Sequence, residues 1–393
     1  MPAEIVVLGG GVGGTLTANL LSKELGRSAR VTVVDPTGMH HYQPGYLYVA
    51  LGEANARWLS RDERSLLRGD VHLVVDRAVR VHPDEGKVEL EREASLSWDY
   101  LVLATGARLV HERVPGLLEG AEGFYSLEDA QRLRESLSRF TGGRILVGVA
   151  GIPYKCPPAP VEFVLMLDEY LRRRGVRERT ELTLLSPLNR AFTIESASEL
   201  VQPIMEERGI GLSTFFNVEA VDPSGRTVTS LEGEQAEYDL LVLVPPHQGQ
   251  RVVVDSELGD ASGWVPTDRL TLQVEARDRI FAIGDATNLP ISKSGSTAHF
   301  EAPVVASRIA SLVNGTAPKT NYGGKVMCFL ETGKRKATVL RFDYEHPPAP
   351  PRPSAIWHSA KWLFNRLYWN TVPQGRLPDN VPLPIPTGER SEA

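Results

Sequence analysis

The chain opens on a strand that runs straight into glycine. Ile5–Val6–Val7–Leu8 is followed by Gly9, Gly11 and Gly14 at the spacing G-x-G-x-x-G. Each glycine has its own reason. Gly9 permits a tight strand-to-helix turn, Gly11 lets a pyrophosphate approach the backbone, and Gly14 lets the helix pack on the strand. The run from Thr15 to Leu25 predicts that helix, whose free N–H groups and dipole face the phosphates. A second apolar strand, Val31–Val34, ends in Asp35, about 20 residues beyond the loop, where an acid accepts hydrogen bonds from a ribose. Strand, loop, helix, strand and acid in register point to a dinucleotide site rather than to a glycine turn in an ordinary βαβ unit.

A chain of 393 residues has room for two or three domains. Its net charge of −6 argues against nucleic acid as a partner. No apolar run is long enough to cross a bilayer. The first strand begins by Ile5, so an intracellular protein is expected. There are 2 cysteines, Cys156 and Cys328. With no C-x-x-C and no Cys/His cluster, no metal site is expected. His40 and His41 are neighbours on a loop, point apart, and have no further ligand nearby.

Further along, short alternating segments over 71–81 and Lys87–Leu90 read as strands, and the buried strand from Trp98 ends in a turn at Thr105–Gly106. Ser126 with Asp129 three positions on predicts a capped helix over 127–140. A second nucleotide-fold start follows at Arg144–Val149, but Pro153 stands where a phosphate loop needs flexibility. The segment Pro153–Tyr154–Lys155–Cys156–Pro157–Pro158–Ala159–Pro160–Val161–Glu162–Phe163 replaces the loop. A helix over 161–174, a strand over 181–185, a helix over 196–208 and strands over 212–216 and 226–229 continue this unit. The strand over 238–246 repeats the pattern of the strand from Trp98 through Tyr100. Ile280–Phe281–Ala282–Ile283 then delivers Gly284 and Asp285 to a strand's carboxyl end, where open α/β sheets bind ligands. A helix is expected over 302–312.

The fold class expected is therefore α/β, with two Rossmann-like domains. Residues 1–110 and 240–320 form one, 111–239 the other, and 321–393 a C-terminal region. Within the last, five of the seven positions from Pro347 to Pro353 are proline, a stiff spacer. Beyond it, Trp357, Trp362, Trp369, Leu363, Phe364 and Leu367 mix with Lys361 and Arg366. That composition suits a helix lying in a membrane interface over 354–370, against the alternative of a core or dimer helix. Residues 379–393 read as disordered.

The Gly9–Gly14 loop, the Thr105–Gly106 turn and the Gly284–Asp285 strand end resemble the FAD-dependent pyridine-nucleotide-disulfide-reductase superfamily over roughly residues 1–330. The resemblance implies bound FAD, with Asp285 at its ribityl or pyrophosphate portion. Within that superfamily, the Cys156 segment and Cys328–Phe329–Leu330–Glu331–Thr332–Gly333 resemble the sulfide:quinone oxidoreductases. That similarity implies a persulfide on Cys156, Cys328 as the thiolate that meets the flavin, sulfide as substrate and a membrane quinone as electron acceptor. A peripheral protein on the cytoplasmic side of the cell membrane is then expected. No cysteine stands between Ala107 and Gly143, where many bacterial members carry a third. Glu162 could act as acid/base near the sulfur or simply cap a helix. Lys293 could stabilise charge on reduced flavin or sit in a solvated loop. The rivals are a type II NADH:quinone oxidoreductase, which needs an intact second glycine loop, and a non-enzymatic flavoprotein serving as sulfur carrier or assembly partner. Whether copies form a homo-oligomer is left open.

Overall fold

The computed structural model describes residues 1–376. The first unit is built on a 6-stranded sheet ordered Gln273–Val274, Arg277–Ala282, Tyr100–Leu103, Ala3–Leu8, Ala29–Asp35, His72–Val75. Its last five strands run parallel, with Ile5 between Val31 and Tyr100. Ile5, Val7, Val33 and Val102 are buried, as parallel strands covered on both faces must be. The helices Val12–Leu25 and Gly295–Val313 pack together on one face, and share a core with Ile5, Phe281 and Ile309.

The second unit repeats the plan on a 4-stranded parallel sheet: Ile210–Ser213, Thr180–Leu185, Gly143–Val149, Leu240–Val244. Each unit also carries a three-stranded meander, at Ala78–Ser97 and Val218–Glu237. A two-stranded ladder, Ala107–Leu109 against His247–Gly249, marks where the chain leaves the first unit and returns. The boundary expected between 239 and 240 therefore falls one strand later, because Leu240–Val244 pairs with Ile145–Val149 inside the second sheet.

Local chemistry places most ends. The Ser126 side chain accepts from the Asp129 N–H and opens the helix Leu127–Arg139. The strand expected over 212–216 lies at Ile210–Ser213, and Phe215 instead turns with φ +57°. The helix expected to start at 302 begins at Gly295, capped by Ser294. Small residues (Gly295, Ser296, Thr297, Ala298) hide its first turns from a periodicity search.

After the first unit, the hairpin Val326–Gly333/Lys336–Phe342 packs on the helix Ala159–Arg173 of the second, and the C-terminal helix Ala355–Thr371 lies over the hairpin. The tail expected to be disordered, 379–393, lies outside the described residues.

Candidate active site

The three glycines of the first loop are distinguishable by what a Cβ would meet. At Gly9, with φ +106°, it would fall 2.4 Å from the Ala104 carbonyl oxygen, and at Gly14 1.9 Å from that of Gly9. Both are packing glycines. At Gly11 a Cβ would meet nothing within 4 Å. The open space beside Gly11 is the cradle that close approach of a pyrophosphate requires.

Asp35, the acid expected at a ribose, is engaged within the loop itself. Its Oδ2 accepts from the Gly10 N–H at 2.9 Å, and its Oδ1 from Thr37 and Gly38 at 2.9 Å each. It fixes the loop's shape.

Across the cleft, Thr105 Oγ1 and Asp285 Oδ1 are buried and without a hydrogen-bond partner. Buried polar atoms demand partners, so a polyhydroxylated ligand fits here. Gly106 and Gly284 turn the chain at φ +66° and +68°. The Asp285 carboxyl is pushed up by burial, against the opposing pull of Lys155 and Lys293. Open cradle and orphaned oxygens together fit FAD.

Lys293 does not sit in a solvated loop. It is 8% exposed, donates to the Asp285 and Thr287 carbonyls, and lies 3.8 Å from the centroid of the Trp264 ring. Burial lowers its ammonium to about 8, with Asp285 opposing.

The two cysteines arrive from different units. Cys156 ends the loop after Gly143–Val149 with φ +52°, an uncommon backbone for a residue with a Cβ. Its N–H donates to the Lys293 carbonyl at 2.6 Å. Its carbonyl accepts from Ala159 N–H at 2.9 Å and from the Tyr125 hydroxyl at 3.4 Å. The helix Ala159–Arg173 begins directly beyond. Cys328 sits in the first strand of the hairpin, opposite Leu340.

Both thiols are free, half-buried and packed against one core cluster. Each also feels the same surroundings. Burial pushes the Cys156 thiol well up, a charged Cys328 and Glu162 add to it, and Lys361 opposes. Burial raises Cys328 to about 11, opposed by the Ser294 hydroxyl and Lys361. The fold thus brings Cys156, Cys328 and Glu162 together.

Glu162 stands in the first helical turn, as a capping role requires, yet its carboxyl is 3% exposed and paired with Lys361. Burial raises the Glu162 carboxyl, and Lys361 opposes that rise. Burial pulls the Lys361 ammonium down, but the facing Glu162 outweighs it and holds the ammonium well above its usual range.

Sequence reasoning placed Lys361 at a membrane headgroup, and the structure corrects this. The signal was present in the helix period. Lys361, Asn365, Tyr368 and Val372 share one stripe. Lys361, Tyr368 and Val372 are buried, and Asn365 accepts from the Tyr42 hydroxyl at 2.5 Å. The opposite stripe, Ile356, Trp362, Leu363 and Leu367, is apolar and exposed. The helix is amphipathic the wrong way round for a water-facing surface.

One residue here carried no sequence signal. His247 is 4% exposed, pairs through Nδ1 with the Pro245 carbonyl at 2.8 Å and packs edge-on to Tyr125. Burial, helped by Lys155, drives it down to about 3, so it is neutral. His40 is fully buried between Glu63 (3.1 Å) and the Tyr368 hydroxyl (2.7 Å), while His41 turns to Ser60 at 2.9 Å. Thr15, one residue past the glycine loop, donates to Glu63 at 2.6 Å. The loop and the C-terminal helix are thereby linked.

A cleft of about 950 Å³ opens beside the Cys156 segment, with Tyr154, Pro157 and Arg190 on one wall and Trp264, Ile291 and Lys293 on the other. The second unit offers no counterpart of the Gly11 cradle. A Cβ on Gly148 would press Leu185 at 2.9 Å, and one on Gly151 would press Pro246 at 3.2 Å.

Comparison with known proteins agrees with this geometry. The chain is 27% identical to the mitochondrial sulfide:quinone oxidoreductase of Mus musculus, over 95% of this chain and 86% of that one. It is 28% identical to the Dictyostelium discoideum protein of the same name, with the same coverage. The solved sulfide:quinone oxidoreductase of Aquifex aeolicus superposes with a TM-score of 0.85 at 22% identity, covering 95% of this chain and 92% of that one. Residues 3–308 match the pyridine nucleotide-disulphide oxidoreductase family, and the chain therefore belongs to that family.

Proposed function

We propose that this chain is a sulfide:quinone oxidoreductase that oxidises sulfide at Cys156 and Cys328 and passes the electrons through FAD to a membrane quinone. The observation that carries the reading is the convergence of two sequence-remote thiols on one buried carboxyl beside a dinucleotide cradle. The names of the relatives point the same way.

Gly9, Gly11, Gly14 and Asp35 would hold the dinucleotide end of FAD, and Thr105, Gly106, Gly284 and Asp285 its middle, with Lys293 near the ring. FAD supplies the two-electron acceptor between sulfur and quinone. The chain's own work concerns sulfur and protons. With Cys156 and Cys328 bridged, hydrosulfide attacks the sulfur of Cys156. The bond between the two residues breaks, a persulfide forms on Cys156, and Cys328 leaves as thiolate. Glu162 takes the persulfide proton. Oxidation of that persulfide against Cys328 gives a bridge one sulfur longer and yields two electrons, and repeated rounds build polysulfide.

The outward stripe of the C-terminal helix rests on the membrane surface. Trp362, with Arg366 stacked 5.1 Å from its ring centroid, sits at headgroup depth. In this reading attachment is peripheral, on the cytoplasmic face; no helix among the described residues is long and apolar enough to cross a membrane.

The test is anaerobic titration of the purified flavoprotein's visible spectrum. Sulfide bleaches the flavin, a quinone restores it, and Cys156→Ala or Cys328→Ala abolishes the bleaching. Bleaching by NADH instead would favour a type II NADH:quinone oxidoreductase. No turnover with either donor would favour a carrier or assembly role.

A further inference from the structure

Glu162 is sealed from solvent. A carboxyl that takes a proton from buried sulfur in every cycle must also lose it. The groups facing it are Lys361 from the C-terminal helix, Glu331 from the hairpin, the two cysteines, and the phenols Tyr42, Tyr48 and Tyr125. Of these, one series leads outward. Lys361 lies 5.5 Å from the centroid of the Tyr48 ring and engages its hydroxyl. Tyr48 donates to Glu331 Oε1 at 3.4 Å. Both oxygens of Glu331, whose side chain is 5% exposed, meet His358 Nδ1 at 3.0 and 3.1 Å. The His358 side chain, 27% exposed, reaches solvent.

We propose that Lys361, Tyr48, Glu331 and His358 form the proton exit from Glu162, with His358 as its terminal donor to water. The inference rests on the functional reading above and deepens it. Each hop balances. Tyr48 gives its hydroxyl proton to Glu331 and regains one from Lys361; Lys361 is recharged by Glu162. Glu331 passes the proton to His358 Nδ1, Nε2 releases one to water, and proton exchange with solvent returns the ring to its Nε2-protonated tautomer for the next cycle. Tyr48 already donates outward, to Glu331, and Lys361 stands between it and Glu162. The terminal group is also the residue type that gains and loses a proton near neutrality. Neither Glu331 nor His358 touches the reacting sulfur; both act through Glu162.

The test is stopped-flow bleaching of the flavin by sulfide, in the full-length holoenzyme without quinone. His358→Ala slows bleaching at least about tenfold, short of the roughly 10²-fold or more expected for a direct acid or base. Added imidazole restores the rate, which a purely structural defect would not allow. His358→Gln keeps a hydrogen bond to Glu331 but cannot relay, and is slow as well. Wild-type bleaching in either variant, or slow bleaching indifferent to imidazole, overturns the exit route. Failure of sulfide to bleach the unaltered protein overturns the functional reading itself, and is told apart because it precedes any substitution.

Discussion

The Lys361 ammonium meets the Glu162 carboxyl across 199 positions of sequence, and both side chains are buried. One belongs to the C-terminal helix and the other to the helix behind Cys156, so the pair is a clasp as well as part of the site. Removing one partner strands the other. Glu162→Gln or Lys361→Met should each cost about 3–5 kcal/mol in urea unfolding. The double substitution should cost less than the sum, since neighbours of this kind couple. Simple additivity would mean the two groups do not interact in solution.

The glycine loop separates folding from cofactor retention. Gly11→Ala should yield folded protein with normal far-ultraviolet circular dichroism but a much reduced flavin-to-protein ratio, because its Cβ enters only the cradle. Gly14→Ala should fail to fold, because its Cβ collides with the Gly9 carbonyl. Full flavin content in Gly11→Ala would rule out the cradle.

The thiols should be sluggish at neutral pH. Burial raises Cys328 to about 11, so its alkylation by iodoacetamide, followed by mass spectrometry, should climb towards pH 11, with Cys156 lagging at every pH. The sign of the stability effect follows. A thiol whose folded pKa is raised contributes stability below its unfolded value, near about 8.5, and that contribution is lost as pH rises through 11. Half-maximal labelling of Cys328 near 8.5 would contradict the burial described.

Membrane attachment is best tested on the outer stripe alone. Deleting 354–393 would also remove Lys361 and Tyr368. Replacing Trp362, Leu363 and Leu367 by serine should release the protein from sedimenting vesicles while sulfide still bleaches the flavin. Continued sedimentation would place the membrane contact elsewhere.

Tyr368→Phe removes the partner of His40 Nε2 in a fully buried pocket. An unsatisfied buried polar atom costs about 1–3 kcal/mol, measurable as a lower melting temperature. An unchanged midpoint would indicate that water replaces the phenol.

What the sequence revealed depended on how local the cause was. The glycine spacing, the Ser126 cap and the strand Lys87–Leu90 follow from neighbours along the chain, and all lie where the pattern puts them. The sheet membership of Leu240–Val244 did not, because strand order is set by packing between distant segments. Lys361 was misplaced, and Lys293 left between two readings, for a related reason. A lysine reads as solvated until a distant carboxyl or ring closes over it, and Glu162 and Trp264 lie far off in sequence. Cys156 and Cys328 were legible only through their flanking residues, since spacing alone says nothing about two atoms 172 positions apart.

The bond from the Cys156 N–H to the Lys293 carbonyl ties the sulfur-bearing loop of one unit to the Lys293 loop of the other. The posture of Cys156 is therefore not a private matter of the segment that carries it. A preparation that sheds its yellow colour should also become easier to oxidise or alkylate at this residue. Prosthetic-group occupancy then doubles as a safety catch.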